Sequence, residues 1–527
     1  MRERLAIVAI ALLAFGASLW SPFFFDDYAM ATDPAVTRPD GVVELFSPER
    51  TRPLTYLTFW ANYQLSGFDP LPFHLVNLLL FAGVVWLVGG LFERVAGPTA
   101  GLVALAIFAL HPLQTETVAY VFARATLLTT LFCLLSWRSW LDGSRWQSVA
   151  WFAAALLAKE EAATFPLFLA GYEWFFRGRR QGWAELAKPL AAMLALVGVF
   201  AVRLYYATRV IEGSGAGLDL GPITPWTYLL TQARAIWLYL RLFVAPMGQS
   251  FDRDFPLSTT LDFETIVAGA SLLIALKVAL GVTVRWRWAW WFAGALILLA
   301  PTSSFAPLAD LTAERRMFLP LLSLSLFGGS AVAQLGRSRA LAIAAALALV
   351  LSVSSWRRTE VYASEIALWR DAAQKAPNKV RPKLQLARAL EAEGPSAQPA
   401  RQALLQEALA LGQTPEVLGE IGVFYLQSAN AVQAEGAFRQ ALALAPRDAQ
   451  TLSNLGTALA YQGRAPEAEM SFRQALDADR CNFDDRMKLI LMLAQRGAAD
   501  EVRLLAVVPE GCPFSQGQLR ELAAAGR

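Results

Sequence analysis

Apolar residues in this chain run in long blocks, with neither the alternation of a half-buried strand nor the one-sided stripe of a soluble helix. The blocks lie near 5–24, 73–91, 99–110, 117–136, 147–158, 162–176, 188–207, 264–282, 287–301, 317–334 and 340–356. A crossing helix needs about 20 residues, so the shorter blocks require extension by their flanks or a tilted bundle. The pattern predicts an all-α, polytopic membrane bundle of about eleven spans over 1–356. The first block follows "MRER" and is succeeded by "FFF" in place of a small-x-small site, which reads as an uncleaved first helix and not as a signal peptide.

From about 357 the blocks stop, and Ala, Gln, Glu and Arg dominate. A repeat replaces them. Ile421, Gly422, Tyr425, Ala434, Phe438, Ala441 and Pro446 recur 34 positions later as Leu455, Gly456, Leu459, Ala468, Phe472, Ala475 and Arg480. That period and its small residues are those of the tetratricopeptide repeat. Trp369, Ala372 and Pro377 read as the second half of a weaker copy, separated by "EAEGPSAQPA" (391–400). Residues 357–527 are therefore expected to form an α-solenoid whose groove binds protein or peptide segments.

Charge orients the bundle. Arg2, Arg4, Arg94, Arg138, Arg145, Arg177, Arg179, Arg180 and Lys188 fall in alternate loops, which the positive-inside rule places in the cytoplasm. The segment 225–246 carries Arg234 and Arg241 on one helical face, with Trp226, Tyr228, Trp237 and Tyr239, and is expected to lie in the outer interface without crossing. Arg285, Arg287, Arg337 and Arg339 are then cytoplasmic, and the repeats lie outside. A twelfth span with a cytoplasmic tail is the alternative.

Composition agrees. The 527 residues are 56% hydrophobic and 17% charged, which excludes an ordinary soluble enzyme. A net charge of +3 gives no reason to expect nucleic acid. Three cysteines make no disulfide framework, although Cys481 and Cys512 can pair if their region is outside the cytoplasm. "EGSGAG" (212–217) reads as a linker rather than a phosphate loop.

The unusual polar residues gather in the outward loops. Asp26 and Asp27 follow the first block, then Arg52 before Pro53, and His74 and Asn77 entering the second. "HPLQTETVAYVFAR" brings His111, Glu116 and Arg124, the last inside an apolar block, where an arginine faces a cavity or a partner. "AKEEAA" holds Lys159 and Glu160, and "TAERRMFLP" holds Glu314, Arg315 and Arg316. Each has a plain reading as a helix end, a turn or a surface pair. Together, acids and bases on one side of a bilayer suit an anionic, membrane-anchored substrate. A divalent metal on His74 and His111 with Asp26, Asp27 or Glu116 is a weaker alternative, because no ligand spacing supports it.

An acidic pair after helix one, "RPL" before helix two, "HPLQTE" before helix four, "KE" before helix six, "AERRMFLP" before a late helix and terminal repeats resemble the GT-C glycosyltransferases. More narrowly they resemble the transmembrane-and-tetratricopeptide-repeat O-mannosyltransferase family and its bacterial relatives. The resemblance implies a polyprenyl- or dolichyl-phosphate sugar donor, a non-cytoplasmic site in the plasma or inner membrane, and often a protein Ser or Thr acceptor. It implies Asp26 or Asp27 as base, Asp26 preferred, and Arg52 at the lipid phosphate. Arg124, Lys159, Arg315 and Arg316 are further candidates for the donor phosphate or for loop positioning, and Glu116 for positioning the acceptor or completing a metal site. The competing expectations are a scaffold that recruits envelope proteins, a lipid-linked glycan flippase, and a glycan polymerase or ligase.

Overall fold

The computed structural model describes residues 1–48, 50–177, 183–210, 220–507, 509 and 512. Arg179, Arg180, the 212–217 stretch and the side chain of Arg177 lie outside the described residues. Regular structure among the described residues is helical, apart from one isolated bridge between Leu220 and Ile223. The chain divides into two compact units after Lys375. The change of composition near 357 falls inside the Arg337–Glu360 helix, and the following Glu365–Lys375 helix still belongs to the first unit.

Each of the eleven apolar blocks is largely helical. Seven described helices are long and apolar enough to cross a membrane: Arg2–Trp20, Pro70–Ala96, Val121–Leu141, Glu185–Ala207, Phe263–Val282, Glu314–Ala333 and Arg337–Ala363. Pro98–Leu110 and Pro112–Ala119 make an eighth if their 49° bend is one broken span. Pro112 explains the break, since it has no N–H to continue the ladder. The remaining blocks are shorter: Arg145–Ala158, the linked pieces from Glu160 to Arg177, and Arg287–Leu299. The Pro225–Val244 helix, expected at the interface, is long but is not among the seven.

The Pro98–Leu110 helix lies at the centre of the first unit and buries nearly every residue, against Phe318–Ala333, Pro70–Ala96 and Arg337–Glu360. Small residues permit this. A β-carbon on Gly329 would stand 2.6 Å from the Ala100 carbonyl oxygen, and one on Gly101 2.7 Å from the Glu93 backbone nitrogen. Close backbone approach is the usual means of helix association in lipid, where apolar burial against lipid tails gives little drive.

One helix departs from the expected first loop. Pro53–Ser66 is helical, with Pro53 supplying the fixed φ of a first turn and Gly67 (φ 59°) ending it. Its Thr, Asn, Gln and Tyr residues hide it from an apolar-block reading. The acidic pair also does not end the first helix: that helix and its 3-10 extension stop at Trp20, and Asp26–Thr32 is a separate helix that begins with the pair.

In the second unit the helices Pro415–Gln427 and Ala431–Leu444 recur 34 residues on as Ala449–Tyr461 and Ala465–Ala478, then again as Phe483–Gln495 and Ala499–Leu505. The glycines of the repeat are packing positions. A β-carbon on Gly422 would stand 2.4 Å from the Phe438 ring, and one on Gly456 2.8 Å from Phe472. Cys481 and Cys512 form a disulfide.

Candidate active site

The loops and helix starts of the first unit bring most of the singled-out residues into paired clusters. The turn at 24–28 separates the two acids. Asp27 is fully buried, and its carboxylate accepts the backbone N–H of Phe24 (3.0 Å) and of Phe122 (2.7 Å). Burial pushes its pKa up to about 8, against the pull of those N–H groups and with the Asp26 charge adding to the rise. Asp26 is half-buried, and its backbone N–H donates to the Tyr120 hydroxyl at 3.2 Å. Asp27 thus fixes the turn, and Asp26 is the acid within reach of solvent.

Tyr120 joins Asp26 to a second cluster. The Arg315 guanidinium lies 6.0 Å from its ring centre. Arg315 donates to Glu116 from its backbone (3.0 Å) and from Nη1 (2.5 Å), and it reaches Asp310 at 3.5 Å. Glu116 is 1% exposed, and its two carboxylate oxygens each accept a hydrogen bond from Arg315. Burial, then the Asp27 and Asp26 charges, keep the Tyr120 phenol protonated well beyond its ordinary range.

A third cluster forms where "RPL" meets "KEE". Arg52 makes a two-pronged pair with Glu160, at 2.6 and 3.2 Å. Lys159 pairs with Glu161 and donates to Thr126 at 2.9 Å. Burial works against the Glu160 charge, and the Arg52 guanidinium overrides it, holding the carboxyl below the usual range. Tyr56 lies within electrostatic reach of both Arg52 and Asp26.

Four expected residues serve the fold. Arg124, expected at the donor phosphate or in loop positioning, is fully buried; it donates to Asn77 (2.8 Å), Asn62 (2.7 Å), Thr58 and the Phe73 carbonyl (2.8 Å), with its guanidinium 4.8 Å from the Phe59 ring centre. Neutral acceptors on two neighbouring helices thus take hydrogen bonds from all three guanidinium nitrogens inside the bundle. Asn77 completes that tie by donating to the Tyr120 carbonyl at 3.2 Å. His111 caps the break, its Nδ1 accepting from the Leu113 N–H and its Nε2 lying 3.0 Å from the Phe243 carbonyl oxygen. Arg316 is buried and anchors the 301–313 loop through the Tyr228 hydroxyl (3.2 Å) and the Leu311 carbonyl (3.2 Å).

His74 is buried in the first turns of its helix. Glu314 accepts from Gln249 (3.1 Å) and the Ser250 N–H (2.7 Å), with Arg253 at 3.7 Å. Among the described residues no three His, Cys, Asp or Glu stand close enough to hold a metal ion, so the donor set does not fit the metal alternative.

The sequence reading missed Tyr120, the 245–258 loop and the aromatic segment after the last span. Phe251 packs edge-on against Tyr120 (5.4 Å), Tyr362 (6.1 Å) and Trp369 (5.4 Å). Arg358 pairs with Asp371 at 2.7 Å. The "QSFDRDF" stretch, charged and aromatic between two apolar helices, was the available signal.

No family model matches the chain. Curated relatives do. It is 29% identical over 261 residues to protein O-mannosyl-transferase TMTC4 of Homo sapiens, covering 41% of this chain and 35% of the relative. It is 31% identical over 199 residues to TMTC3 of Homo sapiens (33% and 22%), and 34% identical over 222 residues to Tmtc2 of Drosophila melanogaster (38% and 23%). These relatives are protein O-mannosyl-transferases. The resemblance read from the motifs is borne out as similarity to them, although the chain spans at most 35% of the length of these relatives. Among solved structures, MamA aligns at 16% identity over 31% of this chain and 85% of that one; its TM-score of 0.24 is too low to bear on the fold.

Proposed function

We propose that the chain is an integral-membrane glycosyltransferase that moves a mannose-type sugar from a polyprenyl- or dolichyl-phosphate donor to a hydroxyl of a protein Ser or Thr. The observation that carries this reading is the Asp26–Tyr120–Arg315 arrangement, a half-exposed acid whose backbone meets the Tyr120 hydroxyl and a guanidinium 6.0 Å from that tyrosine's ring, in a chain similar to named O-mannosyl-transferases. Asp26 accepts the proton of the acceptor hydroxyl as its oxygen attacks the anomeric carbon. The bond from that carbon to the phosphate oxygen breaks, and the lipid phosphate leaves with the electron pair. Arg52 stabilises the charge that develops there by exchanging part of its pairing with Glu160 for the phosphate, and the half-exposed Arg52–Glu160 pair supports this role. Attack and departure on opposite faces give inversion. Asp27 and Glu116 hold the frame.

The same reading puts the chain in the plasma or inner membrane with eleven spans, a glycosyltransferase domain expected over 1–356 and extended by the Glu365–Lys375 helix of the first unit, and acceptor-binding repeats in the second unit on the non-cytoplasmic side. The positive loops support that sidedness, and so does the Cys481–Cys512 disulfide, since such bonds persist in oxidising compartments.

The test uses full-length protein in nanodiscs with a polyprenyl-phosphate mannose and a Ser/Thr-rich peptide, read by mass. Wild type is expected to add sugar-sized increments and Asp26→Asn to lose them while reaching the membrane. An Asp26→Asn variant that transfers like wild type removes the base assignment, and a wild type that adds no sugar to any hydroxyl acceptor removes the enzyme. External labelling of a Ser428→Cys variant in intact cells checks the side; protection there reverses it.

A further inference from the structure

The most strained backbone in the first unit sits beside its candidate base. Phe25 has φ 44° and ψ −106°, and among the described residues only Ala429 is another non-glycine at positive φ. A side chain with a β-carbon stays in that region only where its surroundings enforce it. Hydrogen bonds fix the turn on both sides: Asp27 N–H to the Phe24 carbonyl (2.8 Å), Tyr28 N–H to the Phe25 carbonyl (3.2 Å), and the Phe24 N–H back to the Asp27 carboxylate. None of these bonds involves the Phe25 ring, which meets Trp369 edge-on at 6.1 Å.

Trp369 lies in what the sequence presents as half a degenerate repeat. Its helix, Glu365–Lys375, nevertheless belongs to the first unit. Asp371 pairs with Arg358 at 2.7 Å, and Lys375 donates to the Gln249 carbonyl at 2.6 Å. Trp369 is 1% exposed, backed by Phe251, which also touches Tyr120. The partner of the Asp26 backbone and the support of the Phe25 ring are therefore joined through one aromatic contact chain.

We propose that Trp369 is a positioning residue for the Asp26 carboxylate, acting through Phe25. The indole seats the Phe25 ring, the seated ring keeps the backbone left-handed, and that twist leaves Asp26 half-exposed while Asp27 turns inward. The inference rests on Asp26 being the base, and it assigns the first repeat-like helix to the catalytic loop.

Two readouts on the full chain separate this inference from that reading. Cys133 is buried and Cys481–Cys512 is bonded, so Asp26→Cys presents a single reactive thiol. Trp369→Ala is expected to change its rate of labelling by a membrane-impermeant thiosulfonate by about fivefold or more, and Trp369→Phe by less than about twofold, because only the first removes the ring contact. With Asp26 intact, Trp369→Ala is expected to lower kcat about tenfold at a donor KM within about twofold, and to add no further loss in a Phe25→Ala background, because residues acting through one contact are not additive. Trp369→Leu serves if the alanine variant fails to reach the membrane, with the same expectation.

Labelling that ignores Trp369→Ala and Trp369→Leu, or losses that simply add to those of Phe25→Ala, overturns the proposal. If Asp26→Asn transfers sugar normally while the labelling change stands, the base assignment falls and the positioning contact remains.

Discussion

Arg124 and Arg52 are both charged residues set against apolar surroundings, and the protein uses them in opposite ways. Arg124 is enclosed by neutral acceptors from two other helices, Asn62 and Thr58 on one and Asn77 and Phe73 on the other. Arg52 faces a single carboxylate, Glu160, in a pair that keeps 23% and 35% of its two side chains exposed. A guanidinium enclosed by neutral acceptors of two helices ties those helices together. One held by an exchangeable anion can accept another anion. Depth in an apolar block, which singles out Arg124 in the sequence, marks here the arginine tied into the bundle, while the arginine proposed to meet the lipid phosphate is Arg52.

The comparison breaks first at Arg124. Arg124→Leu strips the charge and leaves buried amide and hydroxyl acceptors without a donor; it is expected to cost about 3–5 kcal/mol and to abolish stable expression. Thermal unfolding in detergent checks this, and a folded, active Arg124→Leu protein would reverse the assignment. Arg52→Gln is expected to fold normally, because the pair it breaks is half-exposed, and to lower kcat by about a hundredfold through lost stabilisation of the leaving phosphate. Steady-state transfer rates at saturating donor decide it, and an effect confined to melting temperature makes Arg52 a second structural arginine.

Asp27 sharpens the comparison from the acid side. Its folded pKa, about 8, lies above the unfolded value of about 3.9. The folded state therefore binds the extra proton between those values. Stability from this group is fully present below about pH 4 and is lost as pH rises through about 8. Asp27→Asn is expected to flatten that part of the pH–stability profile, by an amount on the order of 1–2 kcal/mol after relaxation and screening. A parallel profile for wild type and variant would show that the buried acid titrates normally. The smallest effect is at Thr58. Thr58→Val removes one acceptor from Arg124 while others remain, and about 1 kcal/mol is expected in the same unfolding assay, without change in kcat.

Much of the fold was legible because membrane helices and tetratricopeptide repeats write themselves locally. All eleven apolar blocks are helical, and Gly422 and Gly456 face Phe438 and Phe472 as the repeat register requires. Candidate residues were legible as residue types at loop positions. Their partners were not. Arg52 meets Glu160 across 108 positions and Arg315 meets Glu116 across 199, and nothing periodic links such pairs. Helix Pro53–Ser66 escaped because polar residues dilute its apolar signal. Tyr120 escaped because a tyrosine amid apolar residues looks like core until its hydroxyl is found on the Asp26 backbone.

The central Pro98–Leu110 helix carries a consequence in time. It is enclosed by Phe318–Ala333 and Arg337–Glu360, segments the ribosome delivers some two hundred residues later, at a pace of about 5–20 residues each second. Until they arrive, one side of this helix has only lipid, or an assembly factor, to face. The bundle is therefore completed from the centre outward and late, and a lesion in Gly329 would present as a defect in an earlier helix that had already been made correctly.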